Sequence, residues 1–192
     1  MTLNSLLIAV LTLLLLSCGS SKEIAKDGYY NRKGKCETTT CTETGKWKYY
    51  KYGKLLGKVK DNKNIGTWRY YTQTNQGVFL FAKGFFKEGK ENGRYKWYHI
   101  DGNKYQVAYF KQGKLDRICK RYHRNGKLHR KLKYKEGKLT KIISCFDKEG
   151  NTLDCGKIDH DGNGYLMDYD IEKYENPPRK WNVKKGIINY SY

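Results

Sequence analysis

Five oxygen-bearing side chains, Asp159, Asp161, Asn163, Asp168 and Asp170, stand within twelve residues of this sequence. Four are carboxylates, which repel one another at neutral pH unless a cation sits among them. Calcium, a hard cation, takes oxygen donors spaced along one loop. Thiols are the second candidate chemistry. Cys145 and Cys155 flank the turn signal Lys148-Glu149-Gly150-Asn151 almost symmetrically, so a hairpin there sets them face to face for a disulfide. Cys36 and Cys41 are also close enough to pair. Free thiols remain the alternative for both pairs, because spacing does not fix connectivity. Cys119 has no obvious partner. The four histidines, His99, His123, His129 and His160, show no metal-ligand spacing, and no serine motif or Gly-rich phosphate loop accompanies them. A catalytic site is therefore not expected, nor any cofactor other than calcium.

Read from Asp159, the acidic segment resembles an EF-hand calcium loop. The resemblance implies ligands from Asp159, Asp161 and Asn163 at positions 1, 3 and 5, the turn glycine Gly164 at 6, the Tyr165 carbonyl at 7 and Asp170 at 12. Position 12 is Asp where the motif has a bidentate Glu, and no helix is evident on either side. The alternative is a plain turn: Gly162 falls about one period beyond Gly137, and Ile100-Asp101-Gly102-Asn103 is a similar turn without a ligand set.

A third candidate is electrostatic. The chain carries 39 Lys and Arg against 19 Asp and Glu, a net charge of +20. From Gly93 to Thr140 the balance is +12, whereas from Asp147 to Glu175 it is −6. Lys127, Arg130, Lys131, Lys133 and Lys135 are expected to project as a cationic stripe that attracts an acidic partner. The alternative is a solvated face whose lysines blunt sheet edges.

These residues must be positioned by a repeat. Gly102, Gly126 and Gly150 lie 24 apart, as do Gly89, Gly113 and Gly137, and Tyr98, Tyr122 and Phe146 keep the same interval. Earlier copies read Gly45-Lys46-Trp47-Lys48-Tyr49-Tyr50, Gly66-Thr67-Trp68-Arg69-Tyr70-Tyr71 and Gly93-Arg94-Tyr95-Lys96-Trp97-Tyr98. Copies span 45–65, 66–92, 93–116, 117–140 and 141–164. Each holds two turn signals, such as Arg124-Asn125-Gly126-Lys127 and Lys135-Glu136-Gly137-Lys138, separated by short runs rich in Tyr, Trp, Phe and Ile. The expected fold is all-β, with Trp47, Trp68 and Trp97 as packing residues and Tyr98, Tyr122 and Phe146 buried between hairpins. Pro177-Pro178 falls after the last clear copy, where a sheet must end.

Gly53-Lys54-Leu55, Gly113-Lys114-Leu115, Gly126-Lys127-Leu128 and Gly137-Lys138-Leu139, with the aromatic pairs, resemble the MORN-type repeat in the short variant of YwqK-type antitoxin proteins. The resemblance covers about residues 45–164. It implies hairpins stacked into an elongated antiparallel sheet that serves as a scaffold or binding surface, and it admits an antitoxin or immunity role against a toxin.

The opening residues set the compartment. Leu6 to Leu16 is apolar except for Thr12, too short to span a bilayer and the right length for a signal-peptide core. Leu15-Leu16-Ser17-Cys18 resembles the lipobox of bacterial lipoproteins, which implies removal of 1–17 and lipidation of Cys18. An ordinary secretory signal or short anchor is the alternative, since no Lys or Arg precedes the core. The division is then a signal peptide at 1–17, a tether with a degenerate repeat at 18–44, repeats at 45–164 and a degenerate repeat with cap at 165–192. The expected place is the bacterial cell envelope, membrane-bound through lipid. Export removes the chain from nucleic acid, leaving anionic lipid, envelope polysaccharide or an acidic protein as partners. Non-enzymatic binding or scaffolding is the leading expectation, and toxin neutralisation in the envelope the second.

Overall fold

A computed structural model describes residues 27–31, 34–35, 45–169 and 177–190. Every described element is a β-strand. In the first part of the chain these are β1 (Gly28–Asn31), β2 (Gly34–Lys35), β3 (Lys46–Lys51), β4 (Lys54–Lys60), β5 (Lys63–Thr74) and β6 (Gly77–Lys87). Then come β7 (Lys90–Glu91), β8 (Gly93–Tyr98), β9 (Lys104–Lys111), β10 (Lys114–Tyr122), β11 (Leu128–Lys135) and β12 (Lys138–Cys145). Together they form one long, open sheet in the order β2-β1-β3-β4-β5-β6-β8-β9-β10-β11-β12, with β7 paired onto β6. From β3 onward sheet order follows chain order, so the expected all-β sheet of successive hairpins is what the chain forms.

Turn chemistry explains this connectivity. Asp61-Asn62, Glu88-Gly89, Gln112-Gly113 and Glu136-Gly137 each place two consecutive residues at positive φ. Two-residue turns of this kind match the right-handed twist of the strands they join, and Gly or Asn tolerates the conformation. Turns at the opposite edge are longer. His99 N–H donates to the Asn103 carbonyl and Gly102 N–H to that of His99, and the same pair of bonds recurs at 123–127 and 147–151.

Side chains tie each of these longer turns to the next. Nε2 of His99 donates to the Tyr122 carbonyl at 3.3 Å, and Nε2 of His123 to the Phe146 carbonyl at 2.9 Å. Asn103 Nδ2 reaches the Arg124 carbonyl at 3.0 Å, and Asn125 Nδ2 the Lys148 carbonyl at 2.9 Å. His99 and His123 are thus structural.

The main core lies along one face of this sheet, where large rings cover small residues of the neighbouring strand. Trp68 lies over Gly57, and Tyr95 over Gly84, so closely that a Cβ at either glycine would fall within the ring. Leu56, Val59, Ala82 and Phe86 complete the buried cluster. Tyr98 and Tyr122 are half-buried and lie outside it. Simple alternation puts both on the opposite face: Tyr98 follows the core-facing Trp97, and Tyr122 shares the side of Lys120 and Lys131. The buried ring comes instead from three residues before Tyr98, at Tyr95, and from its counterpart Trp68.

A second sheet, β13 (Gly156–Ile158), β14 (Gly164–Asp168), β15 (Arg179–Lys184) and β16 (Ile187–Asn189), is built in that order. The change of sheet falls between Cys145 and Gly156, earlier than the 164/165 division read from the sequence. Leu166 and Val183 of this sheet pack on Leu132 and Leu139 of the long one. The Leu139 N–H donates to the Gly186 carbonyl at 2.8 Å across the junction. Cys145 and Cys155 are joined in a disulfide around the 147–151 turn, their Cα atoms 5.5 Å apart.

His129 is fully buried at this end of the sheet, and its Nδ1–H donates to the Phe146 carbonyl at 3.0 Å. Burial above all, with Arg130 and His123 nearby, pushes its pKa down to about 4. The unfolded chain binds a proton near pH 6.5, where the folded one does not. Stability from this group is therefore complete above pH 6.5 and lost as pH falls towards 4, amounting to about 3 kcal/mol. Urea unfolding at pH 7 and pH 4.5 is expected to show that loss, and His129→Asn, which keeps a donor but cannot titrate, should show a smaller one.

Candidate anion-binding face

The face opposite the aromatic core carries the cations. In the ladder Arg69 of β5 stands opposite Lys83 of β6, Lys83 opposite Lys96 of β8, and Lys96 opposite Val107 of β9. Val107 stands opposite Lys120 of β10, and Lys120 opposite Lys131 of β11. Five cations thus form one row running across six strands, about 24 Å long at the usual spacing between strands. All five are half-buried. Among the described residues none pairs with a carboxylate. Burial, and then the like charges of Arg94, Lys83 and Lys104, hold the Lys96 ammonium below its ordinary pKa.

Two shallow depressions open along the row. One, of about 320 Å³, lies between Arg69, Lys83, Lys96 and Phe85. The other, of about 280 Å³, lies between Lys120, Lys131, Tyr109 and Tyr122. Arg94, two residues before Lys96, lines both. Like charges set opposite one another are unfavourable. An anion spread along the row would relieve that repulsion, and Phe85 and Tyr109 offer it apolar surface.

The stripe expected along β11 needs one correction. Lys131 belongs to the row and Lys133 and Lys135 are exposed on the same face, but Arg130 is 6% exposed on the other. Neighbouring residues of a strand point to opposite faces, so Arg130 and Lys131 cannot share one. Arg130 Nη1 instead meets Asp168 Oδ1 at 2.9 Å and the Met167 carbonyl at 3.3 Å. Lys127 is exposed in its turn, where its ammonium donates to the Glu149 carbonyl at 2.9 Å. Sequence reasoning missed Arg69, Lys83, Lys96 and Lys120. The signal was the basic residue between the rings of each copy: Lys48, Arg69, Lys96 and, 24 residues on, Lys120.

The proposed calcium ligands are spent on the fold. Asp159 Oδ1 accepts the Asn163 N–H at 2.8 Å, and Asn163 Oδ1 accepts the Lys185 N–H at 3.0 Å. Asp159 and Gly162 repeat the backbone bonds of the other turns. Asp161 is exposed beside His160, and Tyr165 sits in β14, which leads the chain away from the turn. Among the described residues no group of three or more His, Cys, Asp or Glu could hold a metal ion. Segment 159–163 is thus a repeat-type turn, and an EF-hand loop is not formed there. Cys18, Cys36, Cys41 and Asp170 lie outside the described residues. Cys119 is a free, half-buried thiol.

Comparison of the chain with protein-family models, with curated proteins and with solved structures returns no match.

Proposed function

We propose that this chain is a non-enzymatic binding or scaffold protein of the bacterial cell envelope, anchored by lipid at Cys18, that presents the basic face of its long sheet to an acidic partner. The row from Arg69 to Lys131 carries this reading. A line of unpaired cations about 24 Å long suits an extended anion lying across the strands better than a compact one. The apolar run Leu6 to Leu16, followed by Ser17-Cys18, supports export and lipidation. A Cys145–Cys155 disulfide suits an oxidising compartment.

Two measurements test the two halves separately. Cys18→Ala expressed in bacteria should lose the diacyl anchor, since two acyl chains hold a protein to a membrane where one binds only marginally. The variant is expected in the soluble fraction or as uncleaved precursor. Unchanged fractionation and mass would remove the lipid anchor from the proposal. For the face, the purified chain should bind poly-L-glutamate at low salt and release it as salt shortens the Debye length below about 10 Å. Failure to bind poly-L-glutamate at low salt would overturn the acidic-partner reading whatever the outcome at Cys18.

A further inference from the structure

The other face of the long sheet holds a second concentration of charge, largely covered by the second sheet. Where β13–β16 covers β9–β11, a cavity of about 140 Å³ remains between the two sheets. Arg121 and Arg130 stand directly opposite each other in the ladder and both line it. Two like charges in that relation repel, the more so in a site of low dielectric. One carboxylate serves both: Asp168 Oδ1 is 2.9 Å from Arg130 Nη1 and 3.6 Å from Arg121 Nη1. Arg121 is otherwise held by Gln106 Oε1 at 3.4 Å and by the ring of Tyr105.

Among the described residues this leaves one positive charge in excess and donors to spare. A guanidinium has five N–H donors. Among the described residues, Arg130 makes its close contacts, to Asp168 and to the Met167 carbonyl, through Nη1 alone. Arg130 is itself one of the residues that line the cavity. Burial, followed by the charge of Arg121, lowers its pKa, and Asp168 opposes both. Leu132 and Leu166 supply apolar walls, and Tyr134 and Cys119 complete the lining.

We propose that this cavity is a binding site for a small aliphatic monocarboxylate, its carboxylate held by Arg121 and Arg130 and its alkyl group by Leu132 and Leu166. One negative charge balances the excess, the fork of an arginine matches a carboxylate, and the volume admits a short chain. The site is independent of the basic face, from which the thickness of the sheet separates it.

Cys119 reports occupancy, because a ligand in the cavity covers its thiol. Alkylation of Cys119 by iodoacetamide, followed on the purified chain by peptide mass, is measured with propanoate and with propanamide, its neutral counterpart of like shape. Propanoate is expected to slow alkylation about tenfold at about ten times its Kd, since only the empty fraction reacts. Propanamide should leave the rate unchanged. Arg121→Gln, at a partly exposed position, should abolish the protection, and Lys131→Gln on the opposite face should retain it. No protection at concentrations up to about 0.1 M, where even a weak millimolar site would be filled, overturns the proposal, and so does equal protection by propanamide. Neither result depends on whether poly-L-glutamate binds.

Discussion

Tyr95→Ala is expected to cost about 3–5 kcal/mol of folding stability and to lower Tm by roughly 10 °C. Tyr95 is 7% exposed, lies flat over Gly84, and meets Trp97 with ring centroids 4.6 Å apart and Phe110 at 5.6 Å. Removing it opens a void in the aromatic core. Gly84→Ala attacks the same contact from below. Gly84 has no positive φ to protect, so alanine there would ordinarily favour a strand. Its Cβ, however, would enter the space of the Tyr95 ring, and overpacking of this kind costs about 1–3 kcal/mol. The two effects share one space, so Gly84→Ala in the Tyr95→Ala background should cost far less than alone, because the added methyl then fills the void. Urea unfolding of the two single variants and the double variant measures this coupling. Additive costs would show that the ring does not rest on the glycine. Tyr122→Ala, at a half-buried position outside the core, should be milder than Tyr95→Ala.

The second large effect concerns binding. Reversing Lys83, Lys96 and Lys120 together to Glu is expected to weaken poly-L-glutamate binding at low salt by about a hundredfold or more, taking each surface cation as worth about 1 kcal/mol against an anionic surface. The salt dependence should flatten in parallel. A matched triple, Lys127→Glu, Lys157→Glu and Lys184→Glu, makes the same change in net charge in a turn and in the second sheet, away from the row. Binding should survive it with a loss several-fold smaller. Equal losses from both triples would mean that net charge alone attracts the polymer, and that the alignment of Arg69 to Lys131 has no part in it.

These outcomes also mark how far the sequence could be read. Turns were legible because Glu136-Gly137 and its copies at 88–89 and 112–113 need positive φ, and few residue pairs supply it. The 145–155 pairing was legible because both cysteines flank one short turn. Sidedness was lost at Arg130 and Lys131, where a run of basic residues looked like a single stripe although alternation divides it between faces. The partner of Arg130, Asp168, belongs to a different sheet, and no local pattern announces a contact of that separation. The Asp159 loop misled in the opposite sense. Its oxygens have the composition of a metal site, but the backbone N–H groups of Asn163 and Lys185 take them up first. Tyr98 and Tyr122 fall on the face opposite the core by the same alternation, one residue past Trp97 and two past Lys120, which aromatic type alone does not reveal.

The bonds that run from His99 to Tyr122 and from Asn103 to Arg124, then from His123 to Phe146 and from Asn125 to Lys148, give the molecule a gauge. They lock each hairpin to the next at a fixed offset, so the distance between successive cations is a property of the backbone and does not depend on which basic side chain is present. In such an array each unit touches only its neighbours. One duplicated hairpin would therefore lengthen the charged row by two strands, about 10 Å, without disturbing the rungs already there. The reach of the surface along an extended partner is thus counted in hairpins, while the side chains on each rung set how tightly that length is held.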